Sequence, residues 1–396
     1  MQQRGDQWSD QVIGDSSPDI DVTRLKQRLQ HFSPAPDDDP GFAAVLGRGY
    51  YQFELSRDEM PLPDVARMML RLIGCKDLGR TEKLAWEVTF YFEGLQCSLA
   101  LQKSGTRLYI ARTAGTDEKA VIAAAKRIDT QLRKAQRVAE KEILAQISRD
   151  QVTNGNVTIQ NQYWWLREVY MYFREGAQLA FDGKGRLGPR HPNGGYWLFP
   201  EQREGACNTL AMVWAYFSLL EHVLVLCLPF IGFDPSKQSI TNFIGKRWSD
   251  KFRYIFDIAA DLNAKKLYDL LHTVSETYRN TYGHGGFGKD DATIYFHVAG
   301  VGALPTVLSK ISKSPQFELV PVKQIDYREA CRLFDKVDSW FDKAITANAM
   351  LWIKAGLDVR YDSVFRADLA LAEQEDFTEF LDYSVSKFEQ TINMDW

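Results

Sequence analysis

The amino-acid sequence predicts an α+β protein, with a small N-terminal module of helices and meandering strands followed by a mainly α-helical bundle. Three observations lead there. Short β-branched and aromatic runs alternate with turn residues between about residues 84 and 111. Beyond Thr153-Asn154-Gly155-Asn156, a turn signal, apolar residues recur largely at helical spacing. The chain has 396 residues, 45% hydrophobic and 25% charged, enough for two or three domains of ordinary soluble composition.

Residues 1–40 carry SSPDID and SPAPDDDP and read as a flexible leader with one short helix near residues 22–31. Residues 41–152 form the α+β module, a sensor or regulatory element by analogy alone. Within it, 64–73 predicts a helix, while 85–92, 96–102 and 106–111 predict strands. Turns fall at Glu93-Gly94 and Lys103-Ser104-Gly105, and one long charged helix covers 116–149. Residues 153–396 form the helical domain. Its first helix, 159–181, is dense in aromatic residues, and a Gly- and Pro-rich loop spans 182–200. Helices follow over 204–228, 239–258 and 261–282, then a strand or extended cover over 292–298, then helices over 326–353 and 363–392.

Charge and cysteine usage narrow the function classes. A formal net charge of -4 argues against a wholly electrostatic nucleic-acid binder but permits a local basic patch. The five cysteines are odd in number and widely separated, without zinc spacing, as expected of a reducing, cytoplasmic protein with no structural metal. No cofactor motif is evident: Gly285-Gly286-Phe287-Gly288-Lys289 lacks P-loop spacing, and neither GxSxG nor HExxH occurs in a convincing context. The N-terminus has no apolar core and does not read as a signal peptide. The run AMVWAYFSLLEHVLVLCLPF (211–230) is about as long as a bilayer span. Glu221 and His222 stand in its middle, where lipid penalises ionisable groups, so a buried core helix is the better reading and no membrane partner is expected.

The segment Tyr278-Arg279-Asn280-Thr281-Tyr282-Gly283-His284-Gly285-Gly286 carries the chemistry. Leu267, Leu270, Leu271, Val274 and Tyr278 fall on one apolar stripe of the helix before it, which places Arg279 and Asn280 on the opposite, polar side. Asn280 and His284 are four apart and stack if the helix continues through Gly283. An Arg fork matches phosphate oxygens and stabilises charge as it develops. A His moves protons near neutrality, and an Asn amide orients the imidazole or adds a donor. The bland alternative has Arg279 paired with Glu276, one turn back, and His284 merely ending the helix.

Arg, an adjacent polar residue and a following His at a helix end resemble the signature of the HEPN superfamily. AYFSLLEHVLVL followed by LYDLLHTVSETYRNTYGHGG is similar to its pair of core helices, over about residues 204–301. The resemblance implies a helical bundle and a metal-independent endoribonuclease with Arg279, Asn280 and His284 as catalytic residues. It implies RNA as substrate, a homodimer or higher homo-oligomer pairing two motifs, and a toxin or antiviral-defence role with a regulatory protein or antitoxin. A non-catalytic HEPN-like scaffold that binds a nucleotide or protein is the alternative.

Two further groups are weighed beside the motif. Glu276 supports the site by fixing the guanidinium, or is a solvated intrahelical partner. Glu221 reaches Arg279 or His284 across the helix pair, since a buried carboxylate needs a partner, or it is a structural salt bridge or marks a helix face that opens to solvent. Lys246, Arg247, Lys251 and Arg253, interleaved with Trp248 and Phe252, hold RNA backbone in one reading. In the other they are the snorkelling side chains of an amphipathic helix.

Overall fold

The structure, a computed structural model, describes residues 21–36, 49–56, 58, 62–81, 83–112, 115, 117–186, 200–280, 294–306 and 322–393. They divide into two compact units, one within Met1–Thr153 and Thr378–Trp396 and the other within Asn154–Phe377. The fold class is α+β, as the sequence predicts. Most of the leader and of the 182–200 loop lies outside the described residues.

The first unit holds a six-stranded antiparallel sheet. In chain order its strands are β1 (Phe32–Ser33), β2 (Tyr50–Glu54), β3 (Lys76–Thr81), β4 (Leu84–Phe92), β5 (Leu95–Gln102) and β6 (Gly105–Ala111). The spatial order is β1-β4-β5-β6-β2, with β3 also pairing β4. Glu93 and Gly94 both have positive φ, 51° and 83°, the conformation that a two-residue hairpin turn between β4 and β5 needs. Alternate residues of β4, Trp86, Val88, Phe90 and Phe92, point into the core, and Thr89 between them is buried on the other face. Against them pack α1 (Thr23–Arg28), α2 (Pro63–Leu72) and α3 (Glu118–Val138), the last burying Val121, Ile128 and Leu132. The long predicted helix is interrupted by a π-helical stretch, Ala139–Ile143, before α4 (Leu144–Thr153).

The second unit is helical: α5 (Tyr163–Leu179), α6 (Pro200–Leu226), α7 (Ile240–Ile244), α8 (Trp248–Ile255), α9 (Leu262–Val274), α10 (Gln324–Phe341), α11 (Ala347–Lys354) and α12 (Ser363–Gln374). Each of the last two predicted helices is in fact two. Thr346 separates α10 from α11, and a break at Glu375 separates α12 from α13 (Phe377–Asn393). Expected in the helical domain, α13 groups with the first unit from Thr378 onward. Short antiparallel pairs add β7 (Thr158–Ile159) with β10 (Val359–Arg360), and β8 (Ile294–Val298) with β9 (Gly302–Thr306).

The central element is α6. It is long and apolar enough to cross a membrane, yet 61% of that apolar window is buried, which is compatible with the core helix of a soluble protein. Its Tyr216 ring stacks on Phe334 of α10 at 3.8 Å, and the hydroxyl donates to Asp338 Oδ1 at 2.9 Å. Two glycines let α6 approach α5 and the π-helical turn that continues it (Ala180–Lys184): a Cβ at Gly176 would lie 3.2 Å from the Asn208 side chain, and one at Gly205 only 2.5 Å from the Phe181 ring. One outward stripe of α6 stays exposed, at Cys207, Trp214 and Ser218, and ends at the half-buried Glu221.

Candidate functional site

The end of the motif helix is built differently from its sequence periodicity. Asp261 caps α9 by accepting from the Asn263 and Ala264 N–H groups at 2.8 and 3.1 Å. The helix is α-helical to Val274 and π-helical over Ser275–Asn280. Ala264, Leu267, Leu271 and Ser275 make the buried face. Leu270, Val274 and Tyr278, expected with them, instead line an open groove shared with Ala330 and Leu333 of α10.

The π-turn repositions Arg279. Because i→i+5 closure takes more residues per turn, a residue at its end lags behind its α-helical position. Arg279 thus comes round to the side of Leu271 and Ser275, facing α6, and not to the polar side opposite the apolar stripe. Its guanidinium carbon lies 5.4 Å from the Phe217 ring centroid, a cation–π distance. Its Nη2 donates to Glu221 Oε1 at 3.0 Å.

Glu221 serves two cations. Its second oxygen, Oε2, accepts from Lys251 Nζ at 2.8 Å. The Lys251 side chain is 4% exposed, against 28% for Arg279 and 24% for Glu221. Lys251 therefore does not meet the expectation of an RNA-backbone contact: it is an interior counter-ion. The sequence carried a signal for this, since Trp248, Lys251, Phe252 and Ile255 share one helical face and all are buried.

The remaining site residues are spread out. Asn280 donates through Nδ2 to Glu276 Oε1 at 2.7 Å. Glu276 thus holds the amide, and Arg279 takes its carboxylate from α6. Arg247 is exposed, Arg253 pairs with Asp250 at 2.6 Å, and Lys246 Nζ lies 5.3 Å from the Phe243 ring. His284 and the Gly285–Lys289 turn lie outside the described residues.

His222, next to Glu221, faces elsewhere. Its Nε2 accepts from the Gln162 N–H at 2.9 Å, and burial holds its pKa below the ordinary histidine value. The neutral imidazole is a structural acceptor that ties α6 to the start of α5. Among the described residues, no group of three or more His, Cys, Asp or Glu is placed to hold a metal ion.

In chemical terms the site is a guanidinium held end-on by one carboxylate oxygen, with an amide on the next residue. Such a guanidinium can bind an anion and stabilise developing charge. Compared with family models, curated proteins and solved structures, the chain matches none.

Proposed function

We propose that the protein is a HEPN-like, metal-independent endoribonuclease that works as a homodimer, in a toxin or antiviral-defence role in the cytoplasm. The observation that supports this most is Arg279 carried by a π-turn onto the central apolar helix and fixed there by Glu221. A guanidinium oriented at a helix end, beside an amide and shortly before His284, is the donor set that a phosphodiester requires.

In this reading a 2′-hydroxyl attacks the adjacent phosphorus, forming the O2′–P bond while the P–O5′ bond breaks. The products end in a 2′,3′-cyclic phosphate and a 5′-hydroxyl. His284 takes the proton from the 2′-hydroxyl or delivers one to the leaving oxygen. Arg279 stabilises the charge on the non-bridging oxygens, and Asn280 positions. A second copy supplies the other proton-transfer group, with the exposed α6 stripe of Trp214 and Ser218 running toward Glu221 as the surface for it. Of the basic run, exposed Arg247 is the residue open to RNA backbone, while Arg253 would have to leave Asp250 and Lys246 the Phe243 ring.

One observation favours a second reading. Arg279 already pairs with a carboxylate, as expected of a non-catalytic HEPN-like scaffold that binds a nucleotide or partner protein. The test is incubation of labelled RNA with the purified protein in EDTA. Fragments ending in cyclic phosphate are expected; no fragments, or cleavage abolished by EDTA, favours the scaffold or another chemistry.

A further inference from the structure

We infer that Lys251 is a positioning residue that keeps Arg279 open to an anionic ligand by holding the Glu221 carboxylate in a shared, one-oxygen geometry. The inference rests on the reading of Arg279 as a phosphate-binding group. Three facts carry it. The two Glu221 oxygens are divided, Oε2 to Lys251 at 2.8 Å and Oε1 to Arg279 at 3.0 Å. Lys251 stands on the buried face of α8 with Trp248, Phe252 and Ile255, where an apolar side chain would suit the core. Arg279 is the more exposed of the two cations.

An ammonium in an interior position costs several kcal/mol of desolvation, and core packing does not require it. Its effects are electrostatic and geometric. With Lys251 present, the three side chains sum to one positive charge, whereas Glu221 and Arg279 alone would be neutral. A carboxylate released from Lys251 could also turn and grip the guanidinium with both oxygens, the strongest arrangement open to that pair. Lys251 prevents this closure, so that Arg279 gives Glu221 one of its five N–H donors and keeps its net charge for a phosphate.

The test measures binding and does not depend on cleavage. A fluorescent 2′-O-methyl oligoribonucleotide, which has no 2′-hydroxyl to attack with, is titrated into the full chain at low salt and followed by anisotropy. Arg279→Ala and Lys251→Met should each weaken binding about tenfold or more. The double variant Glu221→Gln, Lys251→Met removes the carboxylate charge and the ammonium together but keeps a side-chain oxygen at position 221 to accept from Arg279. The guanidinium stays oriented with its charge uncompensated, and affinity should return to within about threefold of wild type. Thermal melts confirm that each variant is folded. If Lys251→Met does not fold, the double variant decides: binding near wild type supports the inference, and binding as weak as Arg279→Ala overturns it. Undiminished binding by folded Lys251→Met also overturns it while leaving the reading of Arg279 intact. Undiminished binding by Arg279→Ala removes that reading itself.

Discussion

Arg279 Nη2 lies 3.0 Å from Glu221 Oε1, across 58 residues of sequence. The pair joins the end of the motif helix to the last turns of the long apolar helix α6. It explains how an ionisable residue is tolerated inside that helix: Glu221 is paired on both oxygens, to Arg279 and to Lys251. It also fixes the direction in which the proposed catalytic guanidinium points.

Self-association should depend on the exposed stripe of α6. Trp214 is 45% exposed although its neighbours Val213 and Ala215 are buried. Trp214→Ala should shift the protein toward monomer in sedimentation velocity, with little change in its melting temperature. An unchanged dimer, or a wild-type monomer that still cleaves RNA, would remove this face from the account.

Stability should fall on mild acidification through His222. Burial lowers its pKa from 6.5, and only the neutral ring accepts from the Gln162 N–H. The unfolded chain therefore binds more protons than the folded one just below pH 6.5, so this contribution is complete above 6.5 and is lost as pH falls. The difference in melting temperature between wild type and His222→Gln should accordingly shrink from about pH 7 to about pH 5. A pH-independent difference would contradict the assignment.

Tyr216→Phe should destabilise the helical unit by about 1–2 kcal/mol, because it removes a buried donor to Asp338 while leaving the ring stack intact. Urea denaturation measures it. A change within about 0.3 kcal/mol would mean that Arg167, which also pairs with Asp338, satisfies that carboxylate alone.

Much of this was legible in the sequence. Alternation at Trp86, Val88, Phe90 and Phe92 and the Glu93-Gly94 turn place β4 and β5, and the buried run of α6 is evident from its composition. The short strands β1, β2 and β3 were not legible, since their pairing depends on partners distant in the chain. At the site, Arg279 itself was legible and its direction was not. Periodicity assumes an α-helix throughout, and the π-turn over Ser275–Asn280 breaks that assumption one turn before the residue that matters. The partner of Glu221 was missed for another reason: Lys251 sits in a basic run that resembles a surface patch, although its spacing from Trp248, Phe252 and Ile255 puts it on their inward face.

The most direct measurement is the RNA cleavage rate of wild type, Arg279→Ala, Arg279→Lys and His284→Ala, with melting curves for each. Wild type should cleave in EDTA, and every variant should lose about a hundredfold or more. Lysine should fail because a point charge cannot reproduce the guanidinium fork. His284→Ala should melt near wild type. Folded Arg279→Ala and His284→Ala proteins that cut RNA as fast as wild type would contradict the proposed mechanism.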